Sequence, residues 1–409
     1  MSARVAVTGM AGITSLGSDY ATVIAAMDAG RSGIRRMEAW ARYDGLNTQL
    51  AGPIADFAVP EHYPRKKVRS MGRVACMAVV STERALAEAG LLDADIISNG
   101  DCGVAYGSSS GSPDAIADFA AMVTEGSTRN INSTSYIRMM SHTAAVNTSL
   151  FFNIRGRLIS TSTACTSGSQ AIGYAYEAVK HGAQRMMVAG GAEELSPTQA
   201  AVFDTLFATS VKNDAPSTTP RPWDRDRDGL VVGEGAATLV LEDWDSAVAR
   251  GAKILAELVG FGTNCDARHV TQPTSETMEG AMRRALRDAG LDAGAIGYVS
   301  GHGTATELGD IAESHATRSV FGERMPISCM KSYLGHTLGA CGAQEAWLAI
   351  EMMNRDHFAA TLNLEHVDPR CASLDYIVAA PRTLQTEYVM SNNFAFGGIN
   401  TSLIFRRAS

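Results

Sequence analysis

Two stretches of this chain, 200 positions apart, repeat each other. Arg84-Ala-Leu-Ala-Glu-Ala-Gly-Leu-Leu-Asp-Ala-Asp-Ile96 is matched by Arg284-Ala-Leu-Arg-Asp-Ala-Gly-Leu-Asp-Ala-Gly-Ala-Ile296. Both read as the end of an amphipathic helix, with Gly90 or Gly290 where a left-handed C-cap favours a residue without Cβ. A short β-prone run ending in glycine follows each: Cys102-Gly-Val-Ala-Tyr-Gly107 and Gly297-Tyr-Val-Ser-Gly-His-Gly303. The same helix, turn and strand order in both places predicts a duplicated α/β unit. The charged stretch Trp244–Gly251 is the natural boundary, dividing the chain into residues 1–250 and 251–409. It contains no Pro/Ser-rich linker, so the halves should pack tightly rather than flex. Further strands are expected at 185–190, 237–241 and 401–405, and helices at 76–90 and 344–354.

Composition narrows the functional classes. A formal net charge of −8 argues against general nucleic-acid binding, which needs a basic face. The seven cysteines form no CxxC pair, and their number is odd, as expected of reduced thiols in a cytoplasmic protein. The Gly-broken start Val5–Gly12 lacks a basic n-region and a long apolar h-region, so it does not read as a signal peptide. No apolar run approaches the ~20 residues of a membrane span. Gly9-Met-Ala-Gly12 misses dinucleotide-binding spacing and is assigned to a turn. The nine histidines show no metal-ligand spacing.

Four segments could carry chemistry. In Ile159-Ser-Thr-Ser-Thr-Ala-Cys165-Thr-Ser-Gly-Ser-Gln170 a β-branched run turns into a helix at Cys165. A thiol there lies near the positive end of a helix, which favours thiolate and should lower its pKa. In Ser300-Gly-His302-Gly-Thr304-Ala-Thr306, a glycine-flanked histidine ends a strand, the usual ligand side of an open α/β sheet. In Lys331-Ser-Tyr-Leu-Gly-His336-Thr-Leu-Gly, the histidine opens a helix, where imidazolium is disfavoured and a neutral ring can donate a hydrogen bond. Lys331 could pair with Glu313 or Asp310. In Ser391-Asn-Asn-Phe-Ala-Phe396-Gly397-Gly398-Ile-Asn400, a glycine pair behind an aromatic could present backbone N–H groups to an oxyanion.

Together with Arg221-Pro-Trp-Asp-Arg-Asp-Arg-Asp-Gly-Leu-Val-Val-Gly-Glu-Gly235 and Val188-Ala-Gly-Gly-Ala-Glu-Glu194, these segments resemble the β-ketoacyl-acyl carrier protein synthases I and II of the thiolase superfamily. The resemblance covers nearly the whole chain. It implies a five-layered αβαβα fold from two duplicated halves, the first carrying the nucleophile and the second the two histidines. It also implies decarboxylative Claisen condensation, with Cys165 taking the acyl group and His302 and His336 stabilising the enolate. Lys331 and Glu313 match a supporting pair, Phe396, Gly397 and Gly398 a gating and oxyanion loop, and Thr304 and Thr306 the pantetheine contacts. Ser110 matches the border of the acyl pocket, and the basic run containing Arg65, Lys66 and Arg69 matches the carrier-protein docking site. No tightly bound cofactor and no metal are implied; substrates arrive on the phosphopantetheine arm of acyl carrier protein. A homodimer is implied, with a heterodimer of related chains as the alternative.

The chain departs from the family at Ala395, where glycine is usual, and at Tyr333 and Cys341. It mixes type I and type II traits, which keeps open a ketosynthase dedicated to a specialised polyene or polyketide pathway (aryl-polyene-like). A non-catalytic carrier-binding subunit is the rival from another class, and the intact Cys165, His302 and His336 argue against it.

Overall fold

The computed structural model describes residues 2–408. Eleven strands form one hydrogen-bonded sheet: β1 (Val5–Ile13), β2 (Cys102–Gly107), β3 (Leu158–Thr161), β4 (Met186–Glu193), β5 (Gly235–Asp243), β6 (Ala256–Cys265), β7 (Ile296–Ser300), β8 (Pro326–Ser328), β9 (Asp375–Tyr376), β10 (Tyr388–Phe394) and β11 (Ile399–Arg407). Their order is β9-β8-β7-β10-β11-β6-β1-β5-β4-β2-β3.

Read outward from the β1–β6 junction, the order is symmetric. The run β1-β5-β4-β2-β3 is answered by β6-β11-β10-β7-β8. The pair senses also correspond: antiparallel, antiparallel, parallel, parallel on each side. The duplication read from residues 84–96 and 284–296 therefore extends through ten of the eleven strands, with β9 the extra strand at the β8 edge. Its two helices are α1 (Arg73–Glu88) and α4 (Ser275–Ala289), and Gly90 and Gly290 close them with φ of +70° and +65°.

Helices α2 (Ser167–Lys180) and α6 (Cys341–Asn354) pack together at the centre; α3 (Pro197–Asp204) and α5 (Glu307–Phe321) lie between them in sequence. Ala171, Ile172 and Tyr176 of α2 share one core with Ala346, Trp347 and Ile350 of α6 and with strand residues from both halves. Separate cores lie under α1 and under α4 with α5. The two halves of the continuous sheet act as two layers around α2 and α6, giving helix–sheet–helix–sheet–helix, as the resemblance implied. Both central helices are rich in small residues, and a Cβ on Gly168 would stand 2.8 Å from the carbonyl oxygen of Gly339.

Gly9 and Gly12 lie inside β1, not in a turn. A Cβ on Gly9 would meet the carbonyl oxygen of Ala85 at 2.2 Å, and one on Gly12 would meet the Trp347 ring at 2.1 Å. These glycines let α1 and α6 approach the two faces of the strand. Among the described residues no helix is long and apolar enough to cross a membrane.

Candidate active site

The four sequence segments converge at the carboxyl ends of strands. Cys165 follows β3, His302 follows β7, Lys331 and His336 follow β8, and Phe396 lies in the turn between β10 and β11. Cys165 occupies a 3₁₀ turn, Ala164–Thr166, that runs directly into α2. The preceding Ala164 is held at φ +49°. This turn is tied by Ser167 Oγ, which donates to the Ala164 carbonyl at 2.7 Å and accepts the Thr163 N–H at 2.9 Å.

Cys165, His302 and His336 all line a cavity of about 440 Å³, together with Thr304, Thr306 and Phe396. Their hydrogen bonds fix both histidine tautomers. His336 Nδ1 accepts the Leu338 backbone N–H at 3.2 Å, so a neutral His336 carries its hydrogen on Nε2, which faces Cys165 Sγ at 2.9 Å. His302 Nδ1 faces the Lys331 ammonium at 3.1 Å, which can only donate. His302 therefore also carries its hydrogen on Nε2, a buried atom with no protein partner. The two rings stand edge to face with centroids 5.3 Å apart.

Burial, Lys331 and the neighbouring ring push His302 well below the usual histidine range; burial and Lys331 do the same to His336. Both rings are thus neutral donors, and for His336 the cause is burial and Lys331 rather than the helix start expected from the sequence. The Cys165 sulfur and the two histidines place potential ligand atoms within 4.8 Å of one another. A metal would need the Nε2 lone pairs, however, and those nitrogens hold hydrogen while both Nδ1 atoms are occupied by donors. The arrangement suits an anionic oxygen better than a cation.

The Cys165 thiol differs from expectation. Burial pushes the Cys165 thiol up to about 11, against Lys331 and the backbone N–H groups of Phe396 and Cys165, which pull it down. The helix-terminal position that favours thiolate is present, but the desolvation of a fully enclosed sulfur outweighs it. The N–H groups of Phe396 and Cys165 thus both face the Cys165 sulfur.

The supporting pair is also corrected. Lys331 binds Glu345 of α6, with Nζ 2.5 Å from Oε1, and not Glu313 or Asp310. Burial disfavours the Lys331 ammonium, but Glu345 and the neighbouring thiols outweigh it and hold the pKa above its usual value. Glu313 instead accepts the backbone N–H groups of His302 and Gly303, at 2.5 and 2.7 Å. Asp310 accepts those of Thr304 and Ala305, at 3.0 and 3.1 Å. The two carboxylates shape the loop that holds His302, Thr304 and Thr306. Thr304 and Thr306 bond to each other through their hydroxyls at 2.8 Å.

Ser110 does not line this cavity. Its hydroxyl donates to buried Glu193 at 3.2 Å and accepts from Gln199 of α3 at 3.1 Å. Glu193 also accepts the N–H groups of Ser109 and Gly339, linking the Ser109–Ser110 segment to the loop behind His336. The Phe396–Gly398 turn is pinned from the 265–271 segment, as Gly397 N–H donates to the Val270 carbonyl and Asp266 N–H to that of Gly398. Phe396 packs on Phe203, ring centroids 5.2 Å apart. Arg65, Lys66 and Arg69 are exposed on and beside the one-turn helix Arg65–Val68, away from the cavity lining.

Sequence reasoning missed Glu345, Asn393 and Glu193. Glu345 follows Lys331 by 14 positions, and a carboxylate on the buried face of α6, among Ala343, Ala346 and Leu348, was the signal for it.

The N-terminal domain of β-ketoacyl synthases matches residues 2–247, and the C-terminal domain matches residues 255–365. The 3-oxoacyl-[acyl-carrier-protein] synthase 2 of Vibrio harveyi is 37% identical over 99% of this chain and 98% of its own length. The crystal structure of a β-ketoacyl synthase from Burkholderia phymatum STM815 is 60% identical, with a TM-score of 0.98 and full coverage of both chains. The ishigamide ketosynthase/chain length factor is 29% identical, with a TM-score of 0.91 and likewise full coverage. With the motifs, the duplicated fold and the cysteine–histidine–histidine geometry agreeing along its whole length, this chain belongs to the β-ketoacyl synthase family.

Proposed function

We propose that the chain is a β-ketoacyl-[acyl-carrier-protein] synthase of fatty acid synthesis, an acyltransferase that extends an acyl thioester with malonyl-carrier protein. The observation that carries this reading is the pair of neutral Nε2–H donors converging beside a buried cysteine.

In the first half-reaction Cys165 Sγ attacks the acyl thioester, and its proton leaves with the thiol of the carrier arm. The N–H groups of Phe396 and Cys165 take the oxyanion of the tetrahedral intermediate. In the second, the malonyl arm enters the cavity past the Thr304 and Thr306 hydroxyls. His302 and His336 donate to its thioester oxygen. The bond to the carboxylate breaks, CO₂ leaves, and its electron pair becomes the enolate held by the two Nε2–H groups. The enolate carbon attacks the Cys165 thioester, the carbon–sulfur bond breaks, and β-ketoacyl-carrier protein departs from a Cys165 thiolate. Neutral histidines serve this chemistry because they need no proton transfer to stabilise the developing charge.

The partner is acyl carrier protein, docking on Arg65, Lys66 and Arg69. A homodimer is supported by the sheet edge at β3, which pairs only with β2, and by exposed Val123, Tyr136 and Leu150 on nearby helices. The division at residue 250 separates the nucleophile from the histidines. Seven free cysteines suit a cytoplasmic setting. A second reading, a ketosynthase of a polyene or polyketide pathway paired with a related chain, is favoured by the likeness to the ishigamide ketosynthase/chain length factor.

The test uses acyl- and malonyl-carrier protein with wild type, His302→Ala and His336→Ala. Each variant should still acylate Cys165 but release CO₂ about 10²–10³-fold more slowly. Wild-type CO₂ release in either variant removes that histidine from the mechanism, and no condensation by wild type with any acyl chain overturns the reading.

A further inference from the structure

Asn393 belongs to β10, where it pairs with Thr401 of β11, and it is fully buried. Its Nδ2 lies 2.7 Å from Glu345 Oε2, 3.3 Å from His302 Nδ1 and 3.7 Å from Cys341 Sγ. The amide orientation follows from charge. Turned over, Oδ1 would face the Glu345 carboxylate, whereas in the observed orientation one N–H meets that carboxylate and the other is free for the imidazole. Oδ1 is left without a partner on the side of Gly342, where a Cβ would stand 2.7 Å from it. An arrangement that leaves a buried carbonyl unpaired costs free energy, so the donors on the other side are what hold the residue in place.

We propose that Asn393 is a positioning residue for condensation: it is the second donor on His302 Nδ1, and with Lys331 it locks the ring in the tautomer that presents Nε2–H to the enolate. This deepens the condensation reading and rests on it. A lone ammonium at 3.1 Å on a long side chain could swing fully to Glu345 and leave Nδ1 open. An amide fixed in a strand cannot. Glu345 ties the two donors together, accepting Lys331 through Oε1 and Asn393 through Oε2. A neutral His302 then has nowhere for its hydrogen but Nε2.

The isosteric variant Asn393→Asp reverses the logic. It puts an acceptor against Nδ1, draws Lys331 toward the new carboxylate and favours the Nδ1–H tautomer, whose Nε2 is a lone pair. The two half-reactions are read separately, Cys165 acylation by intact mass and CO₂ release from malonyl-carrier protein by the acylated enzyme. Asn393→Asp should acylate normally yet release CO₂ about 10²-fold more slowly at pH 8. Its rate should rise as pH falls toward 5.5, because imidazolium carries hydrogen on both nitrogens, whereas the wild-type rate should stay flat. Asn393→Ala keeps Lys331 and should lose only about fivefold, the worth of one net hydrogen bond. If wild type is active and Asn393→Asp matches it with a flat profile, the inference fails. It fails equally if Asn393→Asp or Asn393→Ala slows acylation and CO₂ release by one common factor at every pH, which is simple structural damage. Absence of CO₂ release from wild type would instead overturn the condensation reading itself.

Discussion

Replacing Glu345 by Gln tests whether the Lys331–Glu345 pair is a structural necessity of the site. Both side chains are almost fully enclosed, at 2% and 3% exposure. The glutamine keeps the shape and can still accept from Lys331, so the perturbation is the loss of one charge. An ammonium left in a low-dielectric interior without its counter-ion costs about 3–5 kcal/mol. Unfolding entropy of about 2.1 cal/mol/K per residue gives roughly 0.86 kcal/mol/K for a chain of 409 residues unfolding as one unit. The expected drop in Tm is therefore about 4–6 °C, measurable by calorimetry. The control is the double variant Lys331→Met with Glu345→Leu, which removes both charges and fills the space with apolar atoms. Replacing a buried pair in this way is often neutral, so the double variant should melt above the single one. A Glu345→Gln protein within about 1 °C of wild type would mean that water or Glu313 already compensates Lys331. A double variant less stable than the single one would mean that the pair contributes through its hydrogen bonds rather than by mutual neutralisation.

Three further outcomes follow from the same geometry. Alkylation of Cys165 by iodoacetamide should accelerate about tenfold per pH unit between 7 and 9, since its thiol sits near 11; peptide mapping must separate it from exposed Cys265, and activity lost with Cys265 alone would unseat Cys165. Charge reversal at Lys66 and Arg69 should raise KM for acyl-carrier protein and flatten its dependence on salt, and an unchanged KM across salt concentrations would dismiss this surface as the docking site. Ser110→Ile removes a hydroxyl from Glu193 and overfills a half-buried position, so stability should fall by about 1–3 kcal/mol; if kcat/KM then drops for long acyl chains and spares short ones, Ser110 also borders the acyl pocket, while an even loss confines its role to the Glu193 network.

What was legible in the sequence depended on whether a residue advertises itself locally. Cys165 and His302 each interrupt a run of small residues just past the end of a strand, where a side chain is exposed above a sheet edge, and His336 stands between Gly335 and Thr337 in the turn after a one-turn helix. The duplication was legible for a related reason: a helix ending in glycine needs the same residue each time it is built. Gly9 and Gly12 misled because glycine has two uses. The turn reading considered only backbone freedom, whereas these two glycines make room for α1 and α6 on opposite faces of β1.

The remaining part of the site was hidden because it is made of long-range pairings. Lys331 was assigned to Glu313 or Asp310, which precede it in the chain, but its partner Glu345 follows it by 14 positions on α6, and Asn393 comes from β10, the strand hydrogen-bonded beside β7. Nothing about an asparagine within β10 marks it before the strands are placed. The pKa of Cys165 was misjudged for the same reason. A strand-to-helix turn is a local feature that argues for thiolate, while enclosure by both halves of the molecule argues against it, and only the folded structure shows which prevails. The two effects have a common origin in the duplication. Packing α2 against α6 encloses Cys165, which raises its pKa, and α6 also carries Glu345 to Lys331. A more exposed cysteine would ionise more readily, but the Nε2–H donors around it would be competing with water for the enolate, and their effect on decarboxylation would be weaker.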